Sequence, residues 1–184
     1  MYRANRTTKI SAEHFEAFAS PNHPPLIESG VHLRVDQENL LEKADPKAPF
    51  SVHKKMDGHV GVLKLFPGIG KPFVNAVLGT ADLRVLVLES YGTGNAPTAK
   101  WFLRAMEKAI INGLYLINVT QCAGGGVAMG QYESSSSLKQ LGFIDGKDLT
   151  TEAALTKAMY LLGRNTEKNE FKKAFENALR GEMR

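Results

Sequence analysis

Apolar residues follow two different spacings in the second part of the chain. Three short runs are β-branched and apolar on both faces, which is typical of strands in a parallel sheet that helices cover on both sides. These runs lie at residues 60–66, 83–88 and 114–119. The segments between them carry apolar residues at helical spacing. Pro72 with Gly79, and Pro97 with Gly113, bracket the first two helical segments as helix boundaries should.

Two more helical segments follow the third run. The first covers residues 151–162 and stops before Gly163. The second is indicated by an apolar stripe at Phe171, Ala174, Phe175, Ala178 and Leu179. The order β-α-β-α-β-α-α predicts an α/β fold with a small parallel sheet of three or four strands flanked by helices, in a Rossmann-like arrangement with right-handed crossovers.

The pattern changes at residue 60. Residues 1–59 hold all five histidines and most of the eight prolines. Because proline blocks helix continuation and restricts the residue before it, we predict extended pieces and turns here, with little core. We therefore divide the chain into residues 1–59 and residues 60–184.

Composition narrows the classes of function. The chain is 43% hydrophobic and 23% charged, as in ordinary globular proteins. Its formal charge of +4 comes from residues that are scattered along the sequence, so we expect no nucleic-acid partner. The longest apolar run, residues 83–88, is far shorter than the roughly 20 residues that cross a membrane, so we expect no membrane partner. A single cysteine, Cys122, is consistent with a reducing cytoplasm.

Glycine-containing loops follow all three predicted strands, at residues 66–69, 90–97 and 120–126. In open parallel sheets ligands bind beyond the carboxyl ends of the strands, so these loops form one candidate site. The alternative is that each glycine only lets the chain turn. Gly92 and Gly94 begin a dinucleotide-binding pattern, but Pro97 occupies the third glycine position, so we expect no cofactor.

Three other features suggest chemistry without specifying it. Cys122 would need a nearby base to act as a nucleophile, and the last histidine in sequence is His59, so a structural thiol is favoured. The histidines lack close metal-ligand spacing, so we expect no metal site. Lys9 follows two threonines, and such a residue is either surface or, if buried, a base or charge partner.

Several motifs together resemble the bacterial cytoplasmic (type I) L-asparaginases, in order across nearly the whole chain. They are Tyr2-Arg-Ala-Asn-Arg-Thr-Thr-Lys9, Phe15-Glu-Ala-Phe-Ala-Ser-Pro-Asn22, Pro24-Pro-Leu26, Phe66-Pro-Gly-Ile69, Ser90-Tyr-Gly-Thr-Gly-Asn-Ala-Pro97, Asn118-Val-Thr-Gln-Cys122 and Leu179-Arg-Gly-Glu182. The resemblance covers the latter half of that family. It implies that residues 1–59 are the end of an N-terminal catalytic α/β domain with a linker, and that residues 60–184 are the C-terminal domain.

The resemblance also implies a chemistry, the hydrolysis of L-asparagine to L-aspartate and ammonia through an acyl-enzyme on a threonine. The family's Thr-Gly-Gly-Thr turn and its Thr-Asp pair are not found in this sequence. Of the catalytic set, the resemblance carries over only Lys9. We therefore expect this polypeptide alone to be inactive.

The loops after the strands gain implied roles as well. Asn95 resembles the substrate-binding residue that reaches into a neighbouring subunit's active site, which implies self-association as a homodimer or homotetramer. Thr120 and Cys122 resemble part of an effector asparagine site. Glu89 stands where an effector-binding member can have arginine, and a carboxylate there would repel the effector's carboxylate. The alternative function is a non-catalytic α/β module that binds an amino acid or regulates without turnover.

Overall fold

The N-terminal segment consists of short extended pieces and turns, as the prolines predicted. The computed structural model describes residues 1–130 and 133–184. A 3-10 turn at Ala4–Arg6 precedes two antiparallel pairs of strands. The pairs are β1 (Thr8–Lys9) with β2 (Phe18–Ala19), and β3 (Ile27–Ser29) with β4 (Leu33–Val35). Arg6 is the one residue of this segment that is buried among those described, so the segment has no apolar core of its own.

A four-stranded parallel sheet forms the centre of the rest of the chain. Its strands are β5 (Val60–Lys64), β6 (Val85–Ser90), β7 (Tyr115–Thr120) and β8 (Ile144–Asp145), in the spatial order β5-β6-β7-β8. The first three strands lie at the three apolar runs, which confirms the predicted fold class. The two-residue β8 was not predicted as an element.

Five helices cover the sheet in the part of the chain that the structure describes. They are α1 (Lys71–Leu78), α2 (Lys100–Ile111), α3 (Glu133–Leu141), α4 (Thr151–Gly163) and α5 (Lys168–Phe175). Pro72 lies in the first turn of α1, and the Thr150 hydroxyl accepts a hydrogen bond from the Ala153 amide to cap α4. The predicted start and end of α1 and the predicted start of α4 are confirmed, whereas α4 continues one residue beyond its predicted end and includes Gly163.

Two other predicted helix boundaries were wrong. Helix α2 begins at Lys100 and not at Pro97, because residues 95–99 belong to the loop after β6. The apolar stripe that ended at Leu179 continues the helix only to Phe175. Beyond it the Glu182 carboxylate accepts from the amides of Leu179 and Arg180, which holds the chain in a turn in place of a helix.

Strand β6 is buried from both sides. Residues Val85, Leu86, Val87 and Leu88 have no exposed surface. Leu86 and Leu88 face the core under α1, α2 and α3, whereas Val85 and Val87 face the core under α4 and α5. This two-sided burial explains why residues 85–88 of the strand are all apolar.

The C-terminal residues close the α4 face through a buried ion pair. The Lys157 ammonium lies 2.6 Å from the Glu182 carboxylate, and both side chains are almost fully buried. Burial alone would raise the pKa of the Glu182 carboxyl, but hydrogen bonds from Lys157 and from the Leu179 and Arg180 amides outweigh it and lower that pKa.

A second buried charge joins the two parts of the chain. Arg6 is 2% exposed, and its guanidinium donates to the carbonyl oxygens of Glu182 and Asn22 and to the Asp148 carboxylate, at 2.8, 3.0 and 2.7 Å. Burial alone would raise the pKa of Asp148, but hydrogen bonds from Arg6 and from the Arg184 amide lower it. The N-terminal segment is thus held against the β8–α4 turn and the C-terminal tail.

The helices of residues 1–130 and 133–184 include none with the length and apolar character that crossing a membrane requires.

Glu182→Gln should lower the free energy of unfolding by about 3 to 5 kcal/mol at pH 7, because it leaves the Lys157 ammonium buried without its counter-charge. The lowered pKa of Glu182 means that its stabilisation is present above the ordinary value of 4.5 and is lost as the pH falls through the lowered pKa. The stability difference between the two proteins should therefore shrink on acidification.

Urea unfolding followed by circular dichroism at pH 7 and pH 3 measures both effects. Glu107→Gln, which removes an exposed carboxylate from α2, serves as the control and should stay within about 1 kcal/mol of the parent. An equal Glu182→Gln deficit at both pH values would contradict this account.

Candidate functional site

The carboxyl ends of β5, β6 and β7 meet at one edge of the sheet. The register aligns Lys64 with Glu89 and Glu89 with Val119, and it aligns Ser90 with Thr120. Strands β6 and β7 are therefore direct neighbours, so Glu89 and the loop that carries Cys122 lie at the same edge of the sheet. The loops that follow these strands form the candidate site.

Glu89 extends from this edge toward α4. Its carboxylate accepts a hydrogen bond from the Thr151 hydroxyl at 2.6 Å and lies 3.6 Å from the Lys64 ammonium. The side chain is 15% exposed, whereas that of Lys64 is 64% exposed. The negative charge of Glu89 is thus held by a neutral donor and only partly balanced by a hydrated cation.

Thr120 extends to the opposite face of the sheet from Glu89. Its hydroxyl donates to the Gly92 carbonyl at 2.5 Å and accepts from the Cys122 amide at 3.0 Å. The alternation of side chains along a strand accounts for this difference, since Glu89 is paired with Val119 and not with Thr120. Two of the three implied effector residues therefore face different sides of the sheet.

Cys122 follows Thr120 in an exposed loop and is a free thiol. The residue between them, Gln121, connects the β7 loop to the carboxyl ends of β5 and β6. Its amide donates to the Leu65 carbonyl at 2.6 Å and to the Glu89 carbonyl at 2.8 Å. Gln121 belongs to a motif of the family resemblance, but its role could not be predicted, because its bonds join segments far apart in the sequence.

The loop that carries Asn95 is a tight turn. Tyr91 and Asn95 exchange two backbone hydrogen bonds of 2.9 and 2.8 Å. Gly92 and Gly94 have φ values of 48° and 108°, a region that favours glycine, so these two residues allow the turn to close. The buried Asn118 amide donates to the Gly94 carbonyl at 3.2 Å and ties the turn to β7. Asn95 itself is half-buried.

Lys9 lies in β1 and is exposed. The residue before it, Thr8, donates its hydroxyl to the Glu152 carboxylate at 2.7 Å, in the first turn of α4. Glu152 is the neighbour of Thr151, which holds Glu89. The first turn of α4 therefore lies between the strand of Lys9 and the Glu89 end of the site.

A second connection joins the N-terminal segment to the loop after β7. The Asn22 side chain accepts from the Gly125 amide at 2.7 Å and donates to the Gly125 carbonyl at 2.6 Å. Asn22 also donates to the Asp148 carbonyl at 3.2 Å. This role of Asn22 was not predicted. The available signal in the sequence was its position between Pro21 and Pro24, in a segment without a core.

No group of three or more His, Cys, Asp or Glu side chains in residues 1–130 and 133–184 is placed to hold a metal ion. The side chains at this edge carry amide, hydroxyl, ammonium, carboxylate and thiol groups.

Comparison with known proteins identifies the family. Residues 59–175 match the family described as the glutaminase/asparaginase C-terminal domain. L-asparaginase 1 of Escherichia coli K12 is 41% identical over 183 residues, which are 100% of this chain and 53% of that protein. The 60 kDa lysophospholipase of Mus musculus is 40% identical over 184 residues, which are 100% of this chain and 32% of that protein.

Comparison with solved structures indicates the same family. The crystal structure of L-asparaginase I from Vibrio cholerae superposes with a TM-score of 0.90 at 35% identity, covering 100% of this chain and 55% of that one. The chain thus spans about half the length of the L-asparaginases that it matches. On these matches in sequence and structure, the chain belongs to the glutaminase/asparaginase family, of which it carries the C-terminal domain.

Proposed function

We propose that this chain is the C-terminal portion of an L-asparaginase, which hydrolyses L-asparagine to L-aspartate and ammonia when the residues of the family's N-terminal half are supplied. One observation carries the proposal: the 41% identity with L-asparaginase 1 extends over the whole chain, from the Lys9 segment to the C-terminal tail. In this proposal residues 1–59 end the N-terminal catalytic domain and include the linker, and residues 60–184 form the C-terminal domain. The single cysteine supports a cytoplasmic location.

Lys9 is the catalytic residue that this chain contributes. Lys9 is exposed, and the hydrogen bond from Thr8 to Glu152 holds β1 in place, so a partner surface can reach Lys9. Because neighbouring side chains on a strand point to opposite sides, the bond that anchors Thr8 also directs Lys9 away from α4. In that position Lys9 can take part in proton transfer once a nucleophilic threonine is brought beside it.

Asn95 is the substrate-binding residue that we assign to a neighbouring subunit's site. The turn around it is closed by its own backbone bonds and held to β7 by Asn118, so its position is fixed before any subunit arrives. A preorganised turn loses little conformational entropy when it binds.

Glu89, Thr120 and Cys122 are the candidate effector residues. Thr120 and Cys122 share a hydrogen bond, whereas Glu89 is bound to Thr151 on the other face of the sheet. We infer that Glu89 disfavours an amino-acid carboxylate at this edge, because like charges repel and its own charge is not balanced by a buried cation.

The purified 184-residue chain should release no ammonia from L-asparagine above background, because the sequence supplies no family nucleophile. Mixed with an N-terminal fragment of an L-asparaginase, it should gain activity. In that mixture Lys9→Ala should lower the rate about 100- to 10,000-fold, which is the range of general acid–base catalysis. Coupled ammonia detection measures both outcomes.

Lys43→Ala, an exposed lysine in the same segment, is the matched control and should leave the reconstituted rate unchanged. Ammonia release by the chain alone that Lys9→Ala abolishes would contradict the proposed division of the active site.

Glu89→Arg should strengthen L-asparagine binding about tenfold or more, because the arginine fork can hold the ligand's carboxylate. Glu89→Gln removes the charge without supplying the fork, and so should give a smaller gain. Isothermal titration calorimetry on the three proteins compares them. Tight binding by the parent that neither substitution alters would exclude Glu89 from the binding site.

The chain should self-associate through its N-terminal segment. Phe15, Val31 and Phe50 are 105%, 96% and 93% exposed, and exposed apolar surface of this kind favours association. Sedimentation at micromolar concentration should show a dimer or a larger species, and the combined variant Phe15→Ser and Phe50→Ser should shift it toward monomer. Ile111→Ser, at a residue of α2 that is 75% exposed, should not. A monomer for the parent chain would contradict the proposal.

A further inference from the structure

The surface groove between α1 and α2 gathers four cationic side chains. Its volume is about 830 Å³. The cations that line it are Lys71, Lys100, Arg104 and Lys108, and Trp101, Asn75 and Asn112 line it as well. No carboxylate is found among the lining residues that the structure describes. The groove lies on the far side of α1 and α2 from the sheet, and none of its residues belongs to the candidate site above.

The cations on α2 form a continuous stripe. Lys100, Arg104 and Lys108 are spaced by four residues, so they share one face of the helix at intervals of about 6 Å along its axis. All three are exposed, and the described part of the chain provides no ion-pair partner for any of them. Like charges at this spacing repel one another. The expectation that the charges are scattered is therefore wrong for this helix.

The helix dipoles add to the positive potential. Lys71 and Lys100 are the first residues of α1 and α2, where the helix dipole disfavours cations. Neither first turn contains an acidic residue, whereas α4 and α5 have Glu152 and Glu170 there. Both helices connect parallel strands and cover the same face of the sheet, so their positive ends lie at the same end of the groove.

We propose that this groove binds an oligophosphate chain of the kind carried by a nucleoside triphosphate. The cations of α2 extend over about 12 Å, which a single phosphate cannot span but a chain of phosphates with an attached group can. Arg104 can bind phosphate oxygens with two parallel hydrogen bonds, and the lysines supply point charges on either side of it. The volume lies within the range of small-molecule sites.

Trp101 provides both a second element of recognition and a reporter. It is half-buried in the wall of the groove, next to Arg104, and its indole can stack on a planar base. It is also the one tryptophan of the sequence, so intrinsic fluorescence reports on this groove alone.

The test titrates the full 184-residue chain with sodium tripolyphosphate and, separately, with ATP. Trp101 fluorescence and calorimetry are the two readouts, and sodium sulfate at matched ionic strength is the control. We expect saturable binding of tripolyphosphate that weakens as salt is added, because screening reduces these attractions. The combined variant Lys100→Gln and Arg104→Gln should bind at least tenfold more weakly.

The matched control removes two exposed lysines from other surfaces, as Lys43→Gln and Lys173→Gln, and should bind as the parent does. Circular dichroism on all variants checks that each is folded. Tighter binding of ATP than of tripolyphosphate would assign a stacking role to Trp101, and equal binding would assign recognition to the phosphates alone. Both results support the proposal.

Three results would overturn it. The first is the absence of saturable binding in both readouts. The second is an equal loss of affinity in the two double variants, which would mean that binding depends on the net charge of the protein and not on this groove. The third is binding of a single-stranded oligonucleotide without binding of tripolyphosphate or ATP, which would favour a nucleic-acid surface.

Discussion

A parallel sheet must be covered on both faces, and this constraint organises the molecule. Strand β6 is covered on both faces, and four of its consecutive residues have no exposed surface. One face requires α1, α2 and α3, and the other requires α4 and α5. Once the helices occupy both faces, only the edge at the carboxyl ends of the strands is open to loops, and the candidate site lies there.

The N-terminal segment cannot join this sheet, so it is attached by polar contacts. Arg6, Thr8 and Asn22 each bind a group on the β7 loop, the β8–α4 turn or α4 itself. These contacts are directional, and they fix where the segment lies without burying much apolar surface. Because polar contacts hold the segment in place, its large apolar side chains remain exposed.

The strands and helices in which apolar residues recur at a regular spacing could be predicted from the sequence. Strands β5, β6 and β7 and helices α1 and α4 follow from apolar runs such as residues 83–88, from helical spacing and from boundary residues such as Pro72 and Gly79. Strand β8 could not be predicted, because two residues do not establish a period. The end of α5 could not either, since it depends on the Glu182 carboxylate reaching two amides.

The candidate site divides in the same way. Its place at the edge of the sheet and its glycine turns were visible in the sequence, whereas the connections through Gln121, Thr151 and Asn22 were not. Those side chains bind groups distant in the chain, and no local pattern records such a bond. The cationic stripe on α2 differs from these side chains, because its four-residue spacing could be read from the sequence. Only the position of Lys71 beside the stripe depends on the fold.

The bond between Arg6 and Glu182 also constrains the order of events during synthesis. The two residues are separated by 176 positions. At about 5 to 20 residues per second, a ribosome needs roughly 9 to 35 seconds to make the intervening chain. Throughout that time the Arg6 guanidinium lacks the carbonyl of the tail that it binds in the folded protein. This contact can therefore form only after the strands of the parallel sheet, which lie between Arg6 and Glu182 in the sequence, have been made.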